Sequence, residues 1–193
     1  MGAIKTALEI ALERTESVKS DKSSIDQFEI KQRGKKLANT FLAGEADLAD
    51  ELKKTPKDQR KSLKQGIFDV LITQITLPVV KEDKDRLEKA GKGLAVVIDG
   101  SQFSAMLKQL IQVVDRYLQE ASHYEQAIRQ QYASRLHQKE EELSRRLGRE
   151  VRIDPLQDPE FIAFYNQHIS ALKGNYEPVI EQARAEARRM FEG

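Results

Sequence analysis

The sequence contains no cysteine and no tryptophan, and only five prolines and ten glycines occur among its 193 residues. Without cysteine the chain has no disulfide, no thiol nucleophile and no cysteine-based zinc site. So few prolines and glycines are typical of helical proteins rather than of turn-rich β-sheet proteins. The absence of cysteine also fits a reducing compartment, so we expect a cytoplasmic protein.

An excess of charge of one sign is also missing, because 32 basic and 31 acidic side chains leave a formal net charge of +1. This balance gives the whole chain no attraction to nucleic acid or to acidic lipid. Long hydrophobic runs are absent too. The most apolar stretch, residues 67–80, contains Asp69 and Gln74 and is too short to span a bilayer. We therefore expect no membrane span.

What the chain does have is one long amphipathic stretch at residues 101–147. Two apolar series run along it at intervals of seven residues: Phe103, Leu110, Tyr117 and Tyr124, and Leu107, Val114, Ala121 and Ile128. No glycine or proline interrupts the pattern before Gly148. It predicts a single helix of about 45 residues with a narrow apolar seam. At ~1.5 Å per residue such a helix would extend about 70 Å.

Shorter helical patterns fill the first half of the chain. Apolar spacing predicts a first helix that ends near Lys19, and a capping-box pattern at Ser24 predicts the start of a second. Gly44 is the predicted end of that second helix. Thr55-Pro56 predicts another helix start, because a capping hydroxyl is followed by proline at the first helical position.

The secondary structure of one segment is ambiguous. Residues 94–98 fit a buried strand or the continuation of a helix, and residues 151–153 are the only candidate strand partner. The helix is favoured, because one strand without a good partner is not stable. Asp158-Pro159 predicts a further helix start, and Gly174 predicts an interruption of that last helix.

Together these patterns predict an all-α protein, an elongated helical bundle in which the long helix forms an antiparallel helical hairpin with the C-terminal helices. Residues 1–100 would form an N-terminal helical bundle and residues 101–193 the hairpin. A single continuous domain is the alternative.

No motif carries a recognisable chemistry. Glu120 and His123 have the Glu-x-x-His spacing of di-iron bundles, but a second copy and two further inward glutamates are missing. Gly91-Lys92-Gly93 lacks the first glycine and the hydroxyl of a phosphate-binding loop, so its small residues are expected to let two helices approach closely. We expect no enzyme, no metal and no cofactor.

The long helix suggests an interaction or scaffold protein that acts through coiled-coil-like packing. Its seam becomes sparse after Tyr132, so that end has too few apolar contacts to be stable alone in water. It should pair within the chain, with a second copy or with a partner protein. The predicted partner-binding seam consists of Tyr124, Ile128, Tyr132, Leu136, Leu143 and Leu147.

Three basic clusters support an alternative function, association with nucleic acid. They lie at residues 31–36, 53–64 and 145–152, and lysine and arginine at this density can contact phosphates without reading sequence. The candidate phosphate contacts are Lys31, Arg33, Lys35, Lys36, Lys53, Lys54, Arg145, Arg146 and Arg149. Aromatic residues for base stacking are not interleaved with them, and acidic residues lie nearby, so this alternative ranks second.

Overall fold

The computed structural model describes the backbone of residues 7–79, 81–98 and 100–193, and their side chains from residue 24 onward except for Lys81. This part of the chain contains no strand, and the predicted all-α class is confirmed. Its helices are α1 (Ala7–Ala43), α2 (Leu48–Lys54), α3 (Lys57–Leu71), α4 (Lys81–Ile98), α5 (Ser101–Leu147) and α6 (Pro159–Glu192).

The chain divides into two compact units. The first comprises residues up to 75 together with 86–100, and the second comprises residues 76–85 and 101–192. Helices α1 to α3 therefore belong to the first unit and α5 and α6 to the second, while α4 contributes residues to both. The division differs from a simple cut after Gly100 in that residues 76–85 group with the second unit.

Helix α1 is one continuous helix where the sequence patterns predicted two. The backbone at Ser24 is helical, so the predicted capping box is wrong. Serine costs only a few tenths of a kcal/mol inside a helix, and neither glycine nor proline occurs in α1 before Gly34. Gly44 ends the helix as predicted, with a left-handed φ of 91°.

Two glycines bring α1 and α3 into backbone contact. A Cβ atom on Gly66 would collide with the backbone carbonyl of Lys31, and one on Gly34 would collide with that of Leu63. Because both helices lack a side chain here, the two backbones pack directly against each other. Ser24 of α1 and Asp58 of α3 line one cleft, and both precede the glycine crossing in their helices, so the two helices run in the same direction.

Thr55 closes α2 rather than opening α3. Its buried hydroxyl donates to the backbone carbonyl of Glu51 at 2.7 Å, and Pro56 precedes α3 without a side-chain cap. The predicted helix start is therefore correct within one or two residues, but the predicted cap is wrong. The short α2 lets the chain turn back between α1 and α3.

The ambiguous segment, residues 94–98, is helical, and its candidate strand partner, residues 151–153, has no regular secondary structure. Residues 94–98 complete α4, so the alternative strand is not formed, and residues 151–153 pair with no strand. The predicted interruption at Gly174 is wrong, since α6 continues through Pro178. Gly174 and Pro178 are both exposed.

Helices α5 and α6 form an antiparallel hairpin. Tyr117 packs against Tyr176 and Tyr132 against Phe161, each pair with ring centroids 5.3 Å apart. The contact advances along α5 by as many residues as it recedes along α6, which fixes the antiparallel direction. This register places Leu110 opposite Ala183, and both side chains are buried.

The apolar stripe of α5 follows the predicted seven-residue spacing only in part. Phe103, Leu107, Leu110, Val114 and Tyr117 are buried, but Tyr124 is 46% exposed. After Ile128 the next buried position is Tyr132, four residues on, and Leu136 follows after four more. Two successive steps of four move the stripe around the helix, as an inserted four-residue stutter does.

None of the helices, as far as the chain is described, combines the length and the apolar character that a membrane crossing requires.

Candidate functional site

A polar cluster joins the two helices of the hairpin near the turn that connects them. The ammonium group of Lys139 on α5 donates to both carboxylate oxygens of Asp158, at 2.8 and 3.0 Å, and lies 3.0 Å from Glu160. The hydroxyl of Tyr132 donates to Asp158 at 3.1 Å. Asp158 also caps α6, because it accepts from the backbone N–H of Glu160 at 3.0 Å. We call Tyr132, Lys139, Asp158 and Glu160 the latch.

Charge pairing sets the protonation of the latch. The hydrogen bond from Lys139 holds the pKa of Asp158 below its usual range, although burial opposes this. The hydrogen bonds to Asp158 and Glu160 raise the pKa of Lys139 well above its ordinary value. Burial raises the pKa of the Tyr132 hydroxyl. Lys139 therefore stays protonated at neutral pH, which suits a structural ion pair and not a nucleophile.

The chain between the two helices folds back onto the end of α5. Gly148 adopts a left-handed φ of 65°, as its predicted role as a helix end requires. The backbone N–H of Val151 then donates to the Ser144 hydroxyl, and that of Ile153 to the Glu140 carboxylate, both at 2.9 Å. These side chains of α5 satisfy donors that have no partner in a strand or helix.

Between this returning segment and α5 lies a groove of 490 Å³. Apolar atoms of Leu143, Ile153 and Pro159 line it, and charged residues border it. Its cations are Lys139, Arg146 and Arg152, and its carboxylates are Glu142, Asp154 and Asp158. We call this the end groove. Its volume is within the range of small-ligand and side-chain pockets.

The residues of the predicted partner-binding seam divide into covered and exposed ones. Ile128 and Tyr132 are buried against Phe161 of α6, and Leu136 packs partly against them. Leu143 is half-buried in the end groove. Only Tyr124 and Leu147 stay largely exposed, at 46% and 57%. Pairing within the chain, one of the three possibilities considered for this seam, accounts for its buried part.

The candidate phosphate contacts are distributed over both units. Those at 31–36 and 53–64 lie in the first unit, and those at 145–152 lie at the end of the hairpin in the second. Several already have acidic partners: Lys31 with Asp69, Arg33 with Glu51, Lys53 with Asp50, Lys54 with Glu51, and Arg145 with Glu141. Lys36, Arg146 and Arg149 have no such partner within the described residues.

The motifs that the sequence analysis set aside have structural roles or none. A Cβ atom on Gly93 would lie 2.7 Å from Phe41 and 2.6 Å from Leu71, so the glycine serves close helix packing, as expected. Glu120 is hydrogen-bonded to Tyr176, and His123 is exposed. In the part of the chain that is described, no three metal-ligating side chains converge.

Comparison with known proteins gives one result. Residues 49–189 match the model of a family of unknown function, DUF6657. The chain belongs to this family. The matched region includes the whole hairpin end, with its latch and end groove, whereas all of α1 lies outside it. No curated protein and no solved structure shows significant similarity to the chain.

Sequence reasoning found part of this site. Asp158-Pro159 correctly predicted the cap of α6, and Tyr132 was assigned to the apolar seam. Lys139 was missed, because it appears in the sequence as one charge among many on a polar helix face. Its position two turns after Tyr132 is a signal for a cation above a buried aromatic residue, but only the fold of residues 148–158 brings an acid to it.

Proposed function

We propose that this member of the DUF6657 family is a non-enzymatic interaction protein. The α5–α6 hairpin would act as a rigid support, and the hairpin end, residues 143–157, as the surface that binds a partner protein. A cytoplasmic location is part of the same proposal, and cell fractionation would check it.

One observation carries this proposal, the contrast in burial along the hairpin. On the stem, Ile128, Tyr132 and Phe161 are at most 3% exposed and close against each other. At the end, Leu147 and Leu156 are 57% and 56% exposed. Exposed leucines beside a groove mark an interaction surface more often than isolated surface leucines do.

The carboxylates of the hairpin end are already hydrogen-bonded within the chain, which supports a binding role over a catalytic one. Asp158 caps a helix and holds Lys139, and Asp154 accepts from the backbone N–H of Leu156 at 3.0 Å. Each of these groups already stabilises the hairpin end. A catalytic acid or base would need to lie within hydrogen-bond reach of the substrate atom to which it gives, or from which it takes, a proton.

Site-specific photo-crosslinking in cells tests the proposal. A benzophenone-bearing amino acid replaces Leu156 or Leu147 on the hairpin end, or Arg135 on the exposed face of the stem as a control. We expect discrete adducts that protease removes and nuclease does not, from the end positions only. Equal adduct patterns from position 135, or no adduct from the end, would contradict it.

Self-association is the second form of the same proposal, in which the partner is another copy. Light scattering at several concentrations measures the molecular mass in solution. A mass that rises towards twice 22.0 kDa, together with adducts between two copies from position 156, would support it. A compact monomer throughout would exclude this form and leave a different protein as the partner.

Nucleic-acid association remains the second candidate function, because Lys36, Arg146 and Arg149 are cations without an acidic partner in the described chain. The ion pairs of the other candidate residues weaken it. Gel shifts with RNA and DNA over a salt series test it. Binding that falls steeply as salt rises would support it, whereas no shift at low salt would eliminate it.

A further inference from the structure

We propose that the end groove binds a segment of a partner protein that combines a large apolar side chain with a neighbouring carboxylate. The apolar side chain would enter between Leu143, Ile153 and Pro159, and the carboxylate would meet Arg146. This inference rests on the proposed function and names the class of partner.

Arg146 is the cation that is available. Of the three cations that border the end groove, Lys139 is held by Asp158 and Glu160. Arg152 lies 3.3 Å from Glu150. Arg146 has no acidic partner in the part of the chain that the structure describes. An exposed guanidinium at the edge of an apolar groove is a suitable donor for a carboxylate, which it can bind through two parallel hydrogen bonds.

The apolar part of the groove gives the other half of the recognition. Leu143 and Ile153 are half-buried, so each keeps apolar surface that a bound side chain would remove from water. Leu147 lies one turn beyond Leu143 on α5, Leu156 lies in the chain between the groove residues Asp154 and Gln157, and both leucines are largely exposed. A volume of 490 Å³ holds one or two large side chains.

The acidic residues of the groove favour a peptide over a polyanion. Glu142, Asp154 and Asp158 border the same groove as Arg146. A nucleic-acid backbone or an anionic membrane would bring several negative charges against these carboxylates, and like charges at close range are repulsive. A peptide can place a single carboxylate on Arg146 and leave the acidic side free. Charge complementarity therefore points to a mixed apolar and acidic segment.

A peptide array tests this with the full-length chain. Each twelve-residue peptide has a central Leu, Ile or Phe flanked by two Asp, two Lys or two Ser, and a further set has the Asp flanks with a central Ser. The variants are Arg146→Glu and Leu156→Glu, and Arg135→Glu is the matched control on the exposed stem. Circular dichroism establishes that each variant is folded.

We expect the peptides with both the apolar centre and the Asp flanks to retain at least ten times more protein than the Lys-flanked or Ser-flanked ones. Arg146→Glu and Leu156→Glu should each abolish that preference, and Arg135→Glu should preserve it. Equal retention by peptides with a central Ser would overturn the proposal, since charge alone would then explain binding. Equal retention of wild type and Arg146→Glu would overturn it too.

Two further probes separate this inference from the proposed function. Poly(U) RNA and phosphatidylserine vesicles are offered to the same proteins. Binding to either that Arg146→Glu abolishes, without peptide retention, would show a polyanion site and overturn the inference. If no peptide is retained but cellular adducts still form at position 156, the inference fails and the interaction function stands. If both are absent, both fail.

Discussion

The pair α1–α3 and the hairpin α5–α6 differ in what lies between their helices. In the first unit Gly34 and Gly66 remove side chains from the crossing, so that backbone touches backbone. In the second unit the large rings of Tyr132 and Phe161 fill the space between the helices in an edge-to-face contact. At the crossing of α1 and α3 the close contact leaves no space for a ligand. The end groove of the second unit lies beyond the buried aromatic contacts, between α5 and the segment that follows it.

Each unit also ties its helices together with one carboxylate of lowered pKa, in different surroundings. Burial would raise the pKa of Asp69, but hydrogen bonds from Lys31 and Gln65 hold it below its usual value. Its side chain is 30% exposed, so this pair is partly screened by water. The side chain of Asp158 is only 4% exposed. Water therefore screens the Asp158 pair less than the Asp69 pair.

The largest effect should come from the aromatic layer of the hairpin. Replacing Phe161, which is 1% exposed, by alanine removes a ring that contacts Tyr132 and leaves a cavity. We expect the free energy of unfolding of the second unit to fall by about 3–5 kcal/mol. Urea unfolding monitored by circular dichroism measures it. Ile162→Ala, at a neighbouring residue that is 39% exposed, is the control and should cost far less.

A smaller loss is expected from the glycine crossing of the first unit. Gly66→Ala places a Cβ atom against the carbonyl of Lys31, and backbone cannot rotate away as a side chain can. The free energy of unfolding should fall by about 2–3 kcal/mol. Gly174→Ala is the matched control, since a Cβ there meets nothing within 4 Å, and it should be neutral or stabilising. Equal behaviour of the two variants would contradict the backbone contact.

The latch should contribute less than either packing contact. Asp158→Ala removes the cap of α6 and the partner of Lys139 together. We expect a loss of about 1–2 kcal/mol in the free energy of unfolding. Asp154→Ala, which removes the cap of only a short 3-10 turn, should cost less. If both variants lose the same amount, Asp158 is an ordinary surface cap and the latch does not exist.

The smallest effect is a pH dependence that isolates the charge of the latch. The lowered pKa of Asp158 gives stability that is present above its unfolded pKa of ~3.9 and is lost as the pH falls through the lowered value. The raised pKa of Lys139 gives stability that is present below its unfolded pKa of ~10.4 and is lost as the pH rises further.

The comparison of wild type with Asp158→Asn measures this effect, because asparagine keeps the cap and removes the charge. The difference in melting temperature should be constant between about pH 5 and pH 9 and shrink below about pH 4. The first unit cancels in this difference, since Asp69 is present in both proteins. A difference that does not change with pH would show that the charge of Asp158 is not responsible.

Much of the fold was predictable because local signals and packing agree. The apolar spacing of residues 101–147 predicted α5, and Gly148 and Asp158 correctly marked the two ends of the turn. The errors arose where a local signal was too weak to act. Ser24 can cap a helix, but it also fits inside one at little cost, and α1 continues through it.

The site was less predictable, because it depends on contacts between residues distant in sequence. The seven-residue spacing predicted Tyr124 and Ile128 as equal members of a seam. The buried stripe departs from this spacing between Tyr117 and Tyr132, so Tyr124 is exposed, whereas Ile128 and Tyr132 are buried. The partner of Lys139 is supplied by the returning segment after Gly148, whose path no local pattern specifies.

The central claim is that the stem of the hairpin is tightly packed, whereas the hairpin end exposes apolar side chains. Amide hydrogen exchange of the purified full-length chain tests this claim most directly. Local opening should be rarest where the apolar layers close. We predict the slowest exchange in α5 from Leu107 to Tyr132 and in the facing part of α6, and exchange at least a hundredfold faster in residues 148–157. Uniform protection along the hairpin, or fast exchange in the stem, would contradict the claim.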